Sequence, residues 1–332
     1  MRRFFLMAVG TLMLSGGVAM AQESRPAIVF DVGGRNDRSF NEAVHRGGQE
    51  FQSATGIQVT EFEVTAEPQR EQALRNFARR GHTPIVAVGF AQRSALQVVA
   101  AEFPQTHFVL IDSFLDLPNV QSVSFREEQG SYLAGMMAAM ASRSGRIGFV
   151  GGMDIPLIRK FACGYVQGAR AVNPTIQIFQ NMTGSTPAAW RDPVRGGELA
   201  RSQIERGADV IFHAAGRTGT GVLQAAADAG RLGIGVDSNQ NHLHPGRVLT
   251  SMLKRVDVAT RLAFETARAG RFRTGLVVLG LAEDGVGVAF DEHNAPLVTA
   301  EMRQRIDQAR AEIVAGRISV HDFMTNNTCP VQ

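Results

Sequence analysis

The sequence predicts an α/β protein built as two Rossmann-like lobes. Short β-branched runs alternate with amphipathic helical stretches, the pattern of right-handed βαβ units around a mainly parallel sheet. The alternation runs through once and restarts near residue 146. The 332 residues are too many for one ordinary domain and suit two. Hydrophobic residues make up 44% and charged residues 20%, a globular composition with apolar mass for two cores. Thirty-five glycines without a fixed period exclude collagen and point to many tight turns.

The first series begins with an apolar run at 27–31 (AIVFD), read as a strand. A helix follows at 40–53, then a strand at 57–62, a helix at 68–80 and a strand at 84–88. The helix at 94–103 stops before Pro104, and 107–111 (HFVLI) is the next strand. A helix with a small-residue face is expected at 127–142. The second series places strands at 146–150, 176–179, 209–212 and 233–236. Its helices fall at 158–172, 196–206 and 221–229.

The last third mixes types. Residues 248–253, 276–281 and 286–290 read as strands, and 259–269 and 298–315 as helices. That surplus implies that the chain crosses back between lobes before it ends. The expected division is 22–122 plus about 246–283 for lobe 1, and about 123–245 plus about 284–332 for lobe 2. Several crossovers of this kind form a hinge beneath a cleft.

The N-terminus reads as an address. Arg2-Arg3 precede an apolar run at 4–18, and Ala19-Met20-Ala21 supplies a small-x-small cleavage site before Gln22. The apolar run falls short of the roughly 20 residues a spanning helix needs. Residues 1–21 are therefore expected to be a cleaved signal peptide, and no Cys near the site offers a lipid anchor. Without Arg2 and Arg3, 32 basic residues face 31 acidic ones, so charge gives no reason to expect nucleic acid. Export permits a disulfide between Cys163 and Cys329, although spacing does not distinguish a bridge from two buried thiols.

Ligands of open parallel sheets bind beyond the carboxyl ends of the strands. Asp31, Gly89, Asp112, Gly151-Gly152, His213, Asp237 and Lys254 follow strands in this reading. Three carboxylates and one ammonium suit a small molecule rich in hydroxyls, because charged acceptors strengthen each hydrogen bond. The alternative is that some of these Asp residues cap the following helices. Lys254 stands out because the chain has one other lysine, Lys160. Phe40 could stack on a ligand ring or serve as a helix-start staple. No dinucleotide fingerprint, P-loop, nucleophile elbow or metal-ligand spacing is present, so neither a cofactor nor a metal is expected. His242 and His244 read as part of a surface loop.

Five blocks in order resemble the basic membrane protein family of PnrA-like substrate-binding proteins. They are Asp31-Val-Gly-Gly-Arg-Asn-Asp37-Arg-Ser-Phe40-Asn41, Gly151-Gly-Met-Asp-Ile-Pro156, Ala215-Gly216-Arg-Thr-Gly219, Gly235-Val-Asp237-Ser-Asn-Gln240 and Ser251-Met-Leu-Lys254-Arg-Val-Asp257. The resemblance implies a type I periplasmic binding protein fold, with two lobes, three hinge crossovers and a purine nucleoside between them. It implies that Phe40 stacks on the purine, with Asn41 and Asp31 on the base side. Asp112, Asp237 and Lys254 correspond to polar groups around the ribose and base. Phe212 is the expected second aromatic. Strand alternation lets only one of Phe212 and His213 face the cleft, and His213 and Arg217 depart from the family's Gly- and Ala-rich loop.

The expected protein is thus a monomeric periplasmic receptor, not an enzyme. It would bind guanosine, inosine or adenosine and pass the nucleoside to the membrane permease of an ATP-binding-cassette importer. A receptor of the same fold for a sugar or flavin is the alternative. A periplasmic nucleoside hydrolase is a more distant one, since no nucleophile–base pair is evident.

Overall fold

The computed structural model describes residues 24–331. The expected leader lies outside these residues. Among the described residues, no helix is long and apolar enough to cross a membrane.

The first lobe opens with β1 (Ala27–Phe30), α1 (Phe40–Thr55), β2 (Thr60–Glu63), α2 (Gln69–Arg79) and β3 (Ile85–Ala87). It continues through α3 (Arg93–Glu102), β4 (Phe108–Ile111) and β5 (Val120–Phe125). The second lobe holds α4 (Glu127–Ala141), β6 (Arg146–Met153), α5 (Pro156–Val172), β7 (Gln177–Gly184) and α6 (Pro193–Glu205). After these come β8 (Val210–Ala214), α7 (Gly219–Asp228), β9 (Leu232–Asp237) and β10 (Val248–Lys254). The chain then returns to lobe 1 for α8 (Val256–Arg268) and β11 (Gly275–Leu279). It ends in lobe 2 with β12 (Val286–Val288) and α9 (Ala300–Val314).

Each lobe has one six-stranded sheet. The strand orders are β11-β5-β4-β3-β1-β2 and β12-β10-β9-β8-β6-β7. Every pairing is parallel except that of β12 with β10. Composition explains the positions. The AIVF run of β1 is wholly buried and sits inside its sheet, whereas the TEFE run of β2 is largely exposed and forms an edge.

Two features differ from the sequence expectation. No strand was expected at 120–125, yet β5 pairs with both β4 and β11. Its VQSVSF run hides a buried serine: Ser122 Oγ accepts from the Leu115 N–H at 3.0 Å and donates to the Leu115 carbonyl at 3.3 Å. A polar residue satisfied in this way breaks the apolar signature without breaking the strand. The expectation also placed 246–283 in lobe 1. Residues Val248–Lys254 instead pair in parallel with β9, so β10 belongs to lobe 2.

The three crossings therefore lie at the β5–α4, β10–α8 and β11–β12 junctions. They are fastened to one another. The Arg126 N–H donates to the Leu279 carbonyl at 2.9 Å, and the Arg255 N–H to the Gly285 carbonyl at 2.8 Å. Gln129 Oε1 accepts the Leu281 N–H at 2.9 Å. Cys163 and Cys329 form a disulfide that ties the C-terminal tail to α5.

Candidate functional site

The carboxyl ends of both sheets face one interlobe cleft. Asp31, Phe40, Asn41 and Asp112 line it from lobe 1, and Asp237 and Lys254 from lobe 2. Of these six sequence-predicted residues, Asp31 and Asp112 follow β1 and β4, Asp237 and Lys254 close β9 and β10, and Phe40 and Asn41 open α1.

Asp31 follows β1 and is 8% exposed. Its Oδ1 accepts from the Val32 N–H at 2.8 Å and from Arg70 of α2 at 3.2 Å. Burial raises its pKa, and the Val32 N–H and Arg70 oppose that. Gly89 makes room for it: at φ 93°, a Cβ there would lie 2.7 Å from Asp31 Oδ2. Asn41 sits in the first turn of α1. Its Nδ2 donates to the carbonyls of Asp31 and Gly34 at 3.2 Å each, and its buried Oδ1 has no partner. Asp37 anchors this turn by accepting the N–H groups of Ser39, Asn41 and Glu42.

Asp112 leaves β4 at φ 67°, a left-handed conformation uncommon for a non-glycine residue. Its Oδ2 accepts from Lys254 Nζ at 2.7 Å, while its buried Oδ1 has no partner. Burial pushes Asp112 up to about 6 against the pull of Lys254. Lys254 also lies 2.8 Å from Glu127 Oε1 at the start of α4. Three rings surround the ammonium, with Phe125, Phe40 and Phe161 centroids at 5.1, 5.2 and 5.7 Å. Burial lowers the pKa of Lys254, but Asp112, Glu127 and Asp237 more than offset that and hold it above its ordinary value.

Asp237 closes β9, also at positive φ, and accepts from Ser39 Oγ across the cleft. Ser238 Oγ donates back to the Ser39 carbonyl at 2.8 Å, and Gln240 Nε2 donates to the Arg38 carbonyl at 2.9 Å. These bonds join the start of α1 to the end of β9 and latch the lobes together.

Phe212 and His213 do not line the cleft. Phe212 is wholly buried, with ring centroids 5.4 Å from Phe149 and 5.2 Å from Tyr165. His213 is wholly buried on the other face of the sheet, its Nε2 3.0 Å from Gln240 Oε1, and burial lowers it to about 4. The reason is strand length. β8 runs to Ala214, two residues beyond the expected end, and Ala214 is the residue that reaches the cleft.

The lobe 2 aromatics that sequence reasoning missed are Trp190 and Phe161. Trp190 ends a short 3-10 turn, Pro187–Trp190, between β7 and α6. Gly152 admits its indole, since a Cβ there would lie 2.2 Å from Cζ3. The signal available was the Gly151-Gly152 pair together with the chain's single tryptophan. Trp190 makes a built-in reporter: occupancy of the cleft is expected to change tryptophan emission, and Trp190→Leu to abolish the change. An unaltered spectrum under saturating ligand would place the ligand elsewhere.

A family profile described as "ABC transporter substrate-binding protein PnrA-like" (Bmp) matches residues 25–323. The chain belongs to this Bmp family. A relative from Lactococcus lactis described as "ABC transporter nucleoside-binding protein BmpA" is 30% identical, covering 89% of this chain and 88% of its own. The "CD4+ T-cell-stimulating antigen" of Listeria monocytogenes is 31% identical over 89% of this chain and 87% of its own. Among solved structures, an ABC transporter solute-binding protein from Aeropyrum pernix superimposes with a TM-score of 0.82 at 28% identity. It covers 90% of this chain and 93% of the other. A solute-binding protein from Conexibacter woesei gives a TM-score of 0.74 at 24% identity, over 90% and 99% of the two chains, which shows the fold alone. The two parallel sheets and their crossings are thus the type I solute-binding fold. The Bmp protein is a substrate-binding component of an ABC transporter, so a ligand and a membrane permease are its partners.

Proposed function

We propose that this Bmp protein binds purine nucleosides in the interlobe cleft, outside the cytoplasm, and presents them to the permease of an ABC importer. The observation that carries the ligand class is the state of the acceptors. Asp112 Oδ1 and Asn41 Oδ1 are buried without partners, in a cleft that also has aromatic side chains from both lobes. Buried acceptors call for donors, and the hydroxyls of ribose and the N–H groups of a purine supply them. Phe40 from lobe 1 and Trp190 from lobe 2 offer π faces for the base. Asp31, Asp37, Asp112 and Asp237 line the cleft against Arg217 and a Lys254 already paired with Asp112 and Glu127, a balance that disfavours a nucleotide. The naming of the Lactococcus lactis relative as nucleoside-binding supports the same reading.

Closure follows the type I hinge: ligand engages one lobe, and the second lobe then swings onto it. The latch from Asp237, Ser238 and Gln240 to Arg38 and Ser39 is the closed arrangement. Thermal shift on protein refolded free of carried-over ligand tests the reading. Guanosine, inosine or adenosine are expected to raise the melting temperature, and free bases or ribose to leave it unchanged. A shift with a sugar or flavin alone would overturn the ligand and leave the fold. Phe40→Ala and Asp237→Ala are each expected to weaken binding by about 1–3 kcal/mol in calorimetry, the size of a lost stacking contact or charged hydrogen bond. Unchanged affinity in both would remove these residues from the site.

A further inference from the structure

Of the chain's 34 basic residues, two are lysines, Lys160 and Lys254. Both side chains are buried, 7% and 2% exposed, and they share one partner. Glu127 places Oε1 2.8 Å from Lys254 Nζ and Oε2 3.0 Å from Lys160 Nζ. Lys160 also donates to the Phe125 carbonyl at 2.8 Å, and lies 3.3 Å from both Glu128 Oε2 and Asp322 Oδ2. A compact ammonium can serve acceptors that converge from several directions, whereas a planar guanidinium presents a fixed fork. That is a physical reason for lysine at these two points in a chain that otherwise uses arginine.

The placement of the cluster matters as much as its chemistry. Phe125 ends β5 and Glu127 starts α4, so Lys160 clasps the first crossing from its seat on α5. Lys254 ends β10, immediately before the second crossing. Asp322 belongs to the C-terminal tail, which the Cys163–Cys329 bridge holds against α5 one turn beyond Lys160. The contacts form an unbroken series from Asp322 through Lys160, Glu127 and Lys254 to Asp112 in the cleft.

We infer that Lys160 and Asp322 are positioning residues for the cleft, acting on Lys254 through Glu127, with the disulfide-tethered tail as the outer clamp. Glu127 divides its two oxygens between two cations. When Asp322 is lost, Lys160 leans further on Glu127 and Glu128. Glu127 then holds Lys254 differently, and Lys254 in turn holds Asp112 differently. Neighbouring charges and hydrogen bonds in a low-dielectric interior polarise one another, which is the physical route for such a change. The inference rests on the nucleoside reading only for the ligand used in its test.

With two lysines, [15N]lysine labelling gives two side-chain ammonium signals. Lys160→Arg leaves one and thereby assigns Lys254. Asp322→Asn is expected to shift the Lys254 signal, and so is the paired Cys163→Ser/Cys329→Ser variant. Asp322 is 36% exposed, and its Oδ1 accepts the Met324 N–H, a bond the amide oxygen can keep, so Asp322→Asn is expected to fold. Inosine affinity is expected to fall about fivefold in Asp322→Asn with the melting cooperativity retained, a size common for coupling residues remote from a ligand. A Lys254 signal that ignores both variants overturns the inference whatever the ligand. So does equal inosine affinity in the wild type and Asp322→Asn. A wild type that binds no purine nucleoside counts against the nucleoside reading, and the lysine signals alone then decide the inference.

Discussion

Replacing Lys254 with methionine is expected to cost the protein about 3–5 kcal/mol of stability and its measurable ligand binding, as happens when one partner of a buried ion pair is removed. Methionine fills similar space among Phe40, Phe125 and Phe161, so lost charge rather than a cavity dominates. Asp112 and Glu127 would lose their shared ammonium, while Lys160 would still hold Glu127. Asp112 would then keep its proton at neutral pH and cease to be the charged acceptor to which a ligand hydroxyl or N–H donates. The sign of the pH dependence follows. In the wild type Asp112 titrates at about 6, because burial raises it and Lys254 only partly counters that. In the variant it titrates higher. Above that range the wild type has the full benefit of the ion pair. The stability gap narrows as pH falls from the variant's titration to about 6, and below about 6, where both proteins hold a neutral Asp112, it is level. Urea unfolding of both proteins at several pH values measures the gap. A gap that stays constant would mean that Lys254 does not set the ionisation of Asp112.

This ion pair was half legible in the sequence. Asp112 and Lys254 were marked because each follows a β-branched run, and strand ends converge in parallel sheets. The same rule marked Asp31 and Asp237. Glu127 escaped it because it opens a helix, where an acidic residue reads as ordinary charge–dipole complementarity. Its role appears only when the first and second crossings are brought side by side, and no local pattern encodes that. Phe212 shows the opposite failure. The strand was recognised but ended two residues early, so the cleft-facing position was assigned to a residue that packs on Phe149 and Tyr165. Trp190 lies in a turn, where neither a 3.6- nor a 2-residue period operates. Periodicity finds elements, and strand ends find a site; side chains supplied by loops and by helix starts need the three-dimensional arrangement.

The second large effect is expected at Gly164, where substitution by valine should remove about 3 kcal/mol of stability or more, as overpacking of a tight interface does. α4 and α5 meet backbone to backbone. A Cβ on Gly164 would lie 2.4 Å from the Glu128 carbonyl oxygen, one on Gly168 1.9 Å from that of Tyr132, and one on Gly135 2.0 Å from that of Tyr165. The obstacles are main-chain atoms, which cannot rotate aside, so the helices must separate. Gly287→Ala is the control, because a Cβ there meets nothing within 4 Å and φ is not left-handed. It is expected to change stability by less than about 0.5 kcal/mol. The seam also bears on the cleft. Gly164 presses on Glu128, next to Glu127, and Lys160 lies one turn earlier on the same helix. Wedging the helices apart at this level pulls Lys160 from Glu127 and loosens the hold on Lys254. Gly164→Val is therefore expected to lose ligand affinity as well as stability, whereas an equally destabilising change far from the hinge should lower stability alone. If denaturant midpoints and ligand titrations show Gly164→Val as stable as Gly287→Ala, the close approach of α4 and α5 is not what holds the hinge. If stability falls but affinity in the folded fraction does not, the seam supports the fold without positioning the site.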